Sequence, residues 1–295
     1  MAEAARATNR RLRRYAGLLA GLSLLAASLL LSGAEPSGAA LAGQAGPSAT
    51  SSPIPPIPPN QDYGAYLLGR NTVSKAKTAI DIPTFLVRAN TVNLFTGGYA
   101  ITNVDTWALS PAGYAQRYGI LPPLTTSVLA FGSVPATATV HLQQIFKNGL
   151  LEPLHVHSRS LNSYPYTTDP IVVTGQLAMT VTDVKIDQVP LDVGPNCHTV
   201  SPLPLRVVGI PSNPPYPPQP GKYSVFLGGP LDGTVGIPAF TGCQNGTENL
   251  DALLTGLISG PDNPLHLSQG SLQQWTPPEG CSLCTQPDPP PPGLH

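Results

Sequence analysis

Charge is scarce in this chain. Only 11% of its 295 residues are Asp, Glu, Lys or Arg, and the formal net charge is −1. Clustered Lys and Arg are the electrostatic footprint of nucleic-acid binding. Outside the N-terminus the basic residues stand singly, apart from Lys75 and Lys77, so that function class is disfavoured. Long apolar runs are lacking beyond residue 31, so no second membrane-spanning segment is expected. Catalytic signatures are also missing: there is no G-x-S-x-G elbow, H-E-x-x-H pair, phosphate-cradling G-x-x-x-x-G-K-[ST] or G-x-G-x-x-G. A glycosidase carboxylate pair leaves no local signature. The central region carries only two glutamates for one, Glu152 and Glu248.

Proline (36) and glycine (29) are plentiful instead. Few charges with many turn formers favour short strands over long helices. The Ala, Gly, Pro and Leu bias with few Lys points to a GC-rich bacterial source.

The N-terminus has the three parts of a secretory signal. Arg10, Arg11, Arg13 and Arg14 precede an apolar run over 15–31, and Ser32 and Ala34 are spaced like a leader-peptidase site. Cleavage after Ala34 or after Ala42 is expected; an uncleaved anchor is the alternative, since the run nears the ~20 residues that span a bilayer. No Cys follows the run, so a lipid anchor on an N-terminal Cys is excluded. Residues 1–34 hold five of the 15 basic residues and one of the 16 acidic ones, which leaves the remainder at about −5. The expected location is secreted or cell envelope, with no stable membrane span after cleavage.

Residues 35–61 lack aromatics and apolar periodicity and read as a disordered Pro/Ser/Ala-rich linker. Residues 276–295 read as a Pro-rich tail with a C-x-x-C. Between them, 62–275 is expected to form one β domain, or two subdomains. Period-two alternation over 136–145, 154–161 and 175–184 is the signal of half-buried antiparallel strands. Shorter strands are expected over 205–210, 222–227 and 234–240. A hairpin is expected between 85–95 and 99–109 around Gly97-Gly98, and a turn at 260–263. Helix is expected only over 248–254, capped by Thr247 or Asn249, with a weaker candidate over 112–118. The fold class is therefore mainly β, an antiparallel β-sandwich with little helix and disordered Pro-rich ends.

The four cysteines, Cys197, Cys243, Cys281 and Cys284, suit two disulfides in an exported chain. They allow three pairings; Cys197–Cys243 and Cys281–Cys284 are favoured by position. Redox or zinc use of Cys281 and Cys284 is disfavoured by the flanking prolines, since a reactive C-x-x-C belongs at a helix N-terminus.

His155 and His157 form the sharpest constellation. On a strand, positions i and i+2 share a face, so two imidazoles side by side suit Zn or Cu if a third ligand converges. The plainer reading is a solvated strand face, with Arg159 opposing a cation. Asp183, Asp187 and Asp192 suggest calcium, but their spacing fits no calcium loop. Asn245-Gly246-Thr247 is a glycosylation sequon that matters only in a eukaryotic secretory route. Trp107, Trp275 and ten tyrosines suit either a core or a carbohydrate surface.

Three ordered blocks carry a resemblance: 181–197 (VTDVKIDQVPLDVGPNC), 233–243 (GTVGIPAFTGC) and 251–270 (DALLTGLISGPDNPLHLSQG). With the preceding AFGSVPATATVHLQQ, they resemble uncharacterised secreted actinobacterial proteins that share PLDVGPxC, IPxFxGC and ISGPxNPxxLxQG blocks. The resemblance covers roughly half the mature chain, from about Phe131 on. It implies export and a β-rich fold, and brings no activity or cofactor. The expected function is an exported or cell-envelope structural or binding module without a cofactor, facing a cell-wall or extracellular ligand. The alternatives are a hydrolase of extracellular or wall polysaccharide and an envelope metal-binding protein.

Overall fold

The structure is a computed structural model that describes residues 52–109, 118–130, 133–213, 219–246 and 248–274. The expected signal segment and tail cysteines Cys281 and Cys284 fall outside these residues, as do Trp275 and almost all of the weaker helix candidate.

The chain begins as a meander of β1 (Asp62–Val73), β2 (Thr78–Thr96) and β3 (Tyr99–Leu109). The expected hairpin joins β2 to β3. Gly97 (φ 57°) and Gly98 (φ 81°) both take left-handed backbone, which suits the twist of a two-residue hairpin and which side chains resist. Next come β4 (Leu124–Ala130), β5 (Val134–Gln144), and the short pair β6 (Phe146–Lys147) and β7 (Leu150–Leu151). The strands β8 (Leu154–Leu161) and β9 (Ile171–Ile186) follow, then β10 (Val189–Pro190), β11 (His198–Thr199), β12 (Leu203–Gly209) and β13 (Gly229–Ile237). Short strands β14 (Phe240–Thr241), β15 (Gln244–Asn245) and β16 (Glu248–Asn249) lead to α1 (Asp251–Ile258), β17 (Gly260–Gln269) and β18 (Gln273–Gln274).

Eight of these strands close a ring: β1-β2-β3-β8-β9-β12-β13-β17 and back to β1, every pair antiparallel. Spatial neighbours follow chain order, so this is an up-and-down barrel with excursions. The mainly-β antiparallel expectation holds; the two-layer sandwich does not. Alternation specifies one buried face per strand, and a barrel and a sandwich both supply one. The difference lies in β9, whose first half pairs with β8 on one edge and β12 on the other. Its second half leaves the ring and pairs with β5, β10 and β11. At that end of the barrel, β4, β5, β9, β11 and β14 form a side sheet, and α1 packs against β14. The described residues belong to one compact unit.

The core runs without a break from the barrel interior (Ala65, Val87, Val104, Val207) to the side sheet (Val140, Met179, Val181). Cys197–Cys243 is bonded as expected. Both cysteines are buried, and the bond ties the start of β11 to the end of β14. Trp107 lies on the outer wall, against Leu151 and Ile54. Ile54 is only 4% exposed, and Pro53 O accepts from Leu151 N at 2.9 Å. Residues 52–61, read from sequence as linker, thus cover part of the barrel.

Three other expectations shift. Residues 222–227 are not a strand; Tyr223 and Val225 alternate into the barrel interior from a loop. The expected turn at 260–263 instead opens β17. There the Asn263 side chain is buried, accepts from Ser74 N, and donates to Val235 O and Gly260 O. The helix occupies Asp251–Ile258, with Asn249 Oδ1 accepting from Asp251 N at 2.8 Å.

Candidate functional site

An apolar cavity of about 150 Å³ lies between the barrel, the side sheet and α1. Alternation and one break in register build it: Ile80 and Ile82 of β2, and Phe85 beyond the irregularity, line it with Val140 of β5, Met179 of β9 and Leu257 of α1. Its polar lining residues are Asn71, Thr126 and Thr137. Asn71 donates to Pro264 O at 3.0 Å. Thr126 is 8% exposed, and its hydroxyl has no hydrogen-bond partner among the described residues. A buried hydroxyl without a partner costs about 1–3 kcal/mol. The wall around it is mostly apolar and the oxygen itself is occluded, so it bonds a group in the cavity only when the side chain turns toward the space.

A second space of about 520 Å³ opens at the opposite end of the barrel. Thr102, Ser158 and Ser160 share the inward face of β3 and β8 with Val104 and Val156, and line it together with Thr168. The loop carrying Tyr223 closes it below. Tyr223 is fully buried, and its hydroxyl donates to Gln269 Oε1 at 2.8 Å. Gln269 Nε2 donates in turn to Val225 O at 3.0 Å. Burial pushes the Tyr223 phenol well above its ordinary pKa, so it remains a neutral donor. This plug separates the two spaces.

His155 and His157 lie on the outer wall, where each meets its own cross-strand partner. His155 Nδ1 is 2.7 Å from Asp105 Oδ1, and His157 Nδ1 is 2.8 Å from Asn103 Oδ1. Arg159 donates to Asp169 Oδ2 at 2.7 Å and lies over the Tyr99 ring. Among the described residues no group of three or more His, Cys, Asp or Glu converges to hold a metal ion. The acidic series has local roles: Asp183 Oδ2 accepts from Thr182, and Asp192 Oδ1 from Gly194 N. Asp187 sits with left-handed backbone (φ 50°) in the turn between β9 and β10.

Sequence reasoning passed over Thr126, Gln144 and the Tyr223–Gln269 pair. Gln144 is 1% exposed. It accepts from Ala108 N and donates to Thr106 O and Glu152 O. A signal existed for it, since Gln144 falls on the same alternation parity as Val140, where an apolar residue belongs. Glu152 and Glu248 line neither space.

Comparison with protein-family models, with curated proteins and with solved structures gives no match. The geometry therefore stands by itself: an eight-stranded antiparallel barrel with an apolar cavity at one end and, at the other, a cleft that mixes hydroxyls with apolar side chains. Among the described residues no helix is long and apolar enough to cross a membrane.

Proposed function

We propose that this chain is an exported binding protein of the cell envelope that holds a small, mostly apolar ligand in the cavity between the barrel and α1. The observation that carries the reading is the apolar cavity itself, whose wall includes the Thr126 hydroxyl, without a partner among the described residues. Eight-stranded up-and-down barrels have room for one small ligand. A dry apolar cavity of this volume takes a molecule on the scale of benzene. The ligand class is thus a compact hydrocarbon body with one hydrogen-bonding group. Export is supported by the basic and apolar N-terminus, by the resemblance of the C-terminal blocks, and by the Cys197–Cys243 bond, which suits an oxidising compartment. The hydrolase alternative gains nothing from either space, because among the described residues no carboxylate lines them.

Toluene, titrated into protein labelled at its methyl groups, tests the reading. Saturable shifts are expected at Met179 and Leu257; Ala138 of β5 lines the same cavity, and Ala138→Phe, which fills it, abolishes them. Absence of saturable shifts in wild type, or equal shifts in Ala138→Phe, overturns it.

A further inference from the structure

The cleft at the opposite end of the barrel has a different chemistry. Its walls present hydroxyls from Thr102, Ser158, Ser160 and Thr168. Some of them bond within the protein: Thr102 Oγ1 donates to Asn93 Oδ1, and Ser160 pairs with Thr168 at 2.9 Å. A hydroxyl carries one proton and two lone pairs, so each retains capacity for a further partner. Among the described residues no carboxylate lines the cleft, and the one cationic side chain in its lining is Lys222, which is exposed. A charged ligand therefore finds little to compensate it, whereas a polyol finds donors and acceptors together.

Besides the buried Tyr223, two exposed aromatic rings complete the lining. Tyr166 is 54% exposed and Phe226 is 42% exposed. They come from separate loops, the β8–β9 connection and the loop that carries Tyr223. Single exposed rings are common on protein surfaces; what matters here is that two of them border one cleft beside hydroxyls. Ring faces beside hydroxyls match a sugar, whose C–H face is apolar and whose edge is hydroxylated. The volume of about 520 Å³ lies within the range of small-molecule sites and is on the scale of one to two sugar rings.

We infer that this cleft binds a neutral saccharide through the Tyr166 and Phe226 rings and the hydroxyls of β3 and β8. The site is independent of the apolar cavity, from which the Tyr223–Gln269 plug divides it.

Calorimetric titration of the purified protein with cellobiose, maltose and N,N′-diacetylchitobiose at millimolar concentration tests the assignment. Saturable binding of at least one disaccharide is expected. Tyr166→Ala and Phe226→Ala are each expected to weaken it about tenfold, the scale of a lost aromatic contact. Both side chains are exposed, so unchanged circular dichroism is expected of the variants. Ala138→Phe is expected to leave saccharide binding intact while blocking toluene, which separates failure here from failure of the apolar-cavity reading. Absence of saturable binding for all three sugars, or undiminished binding in both aromatic variants, overturns the inference.

Discussion

Replacing Thr126 by valine is expected to make the ligand-free protein more stable. Thr126 is 8% exposed, and among the described residues nothing bonds its hydroxyl. The wild-type chain therefore bears the desolvation cost of that hydroxyl without a compensating bond, about 1–3 kcal/mol. Valine has nearly the same shape and the same branched preference for a strand, and it adds a methyl group to an aliphatic wall. The gain is expected to be about 1–2 kcal/mol. In urea it appears as a higher midpoint at unchanged slope, and on heating as a rise of about 2–8 °C. Ligand selectivity should move the other way. Phenol and toluene have nearly the same shape and differ in one hydroxyl. Wild type is expected to gain about 2–10-fold in affinity for phenol relative to Thr126→Val, the scale of one net hydrogen bond. Toluene should bind both proteins alike. A Thr126→Val protein less stable than wild type would refute the reasoning, because it would mean that the hydroxyl is already satisfied. An unchanged phenol-to-toluene ratio would refute its role in recognition.

Three further outcomes are expected. Cys197→Ala with Cys243→Ala opens a bridge of sequence separation 46 and should cost about 4 kcal/mol on the chain-entropy account; urea unfolding measures it, and a loss below about 1 kcal/mol counts against that account. Gln144→Leu strands Ala108 N, Thr106 O and Glu152 O, so calorimetric unfolding should show a loss of about 3–5 kcal/mol. In Gly209→Ala the new Cβ would lie 2.4 Å from the Tyr223 ring. That variant should lose about 1–3 kcal/mol from overpacking and change the near-ultraviolet signal of Tyr223, whereas an unaltered spectrum would mean that the plug is not rigid.

Much of the strand pattern could be read from the chain. The run 154–161 alternates, and β8 is Leu154–Leu161. Gly97-Gly98 between apolar runs marks a hairpin, because two left-handed residues in a row leave few other possibilities. The Cys197–Cys243 pairing followed from placing each cysteine after a strand. Other positions misled because the same residues serve two geometries. Tyr223 and Val225 alternate as a strand would, yet they do so from a loop dipping into the barrel. Gly260-Pro261-Asp262-Asn263 has turn composition, yet Asn263 is held inside by three hydrogen bonds. His155 and His157 do share a face, and each is occupied by its own cross-strand partner.

By itself, the sequence determined the local order of this protein: mostly antiparallel strands, one short helix, and one cysteine pair placed to be bridged. Those features depend on neighbours within a few residues, or on parity along one strand. The tertiary structure alone decided that the sheet closes, because closure depends on β9 pairing with β12 across the stretch from Leu177 to Leu203, and on β1 pairing with the distant β17. It alone also gathered β2, β5, β9 and α1 around Thr126. Parity says that Thr126 points inward, but only the packed surroundings show that nothing there accepts or donates to it. The two candidate sites arise from such long-range assembly, which is why strand pattern revealed the walls and not the spaces between them.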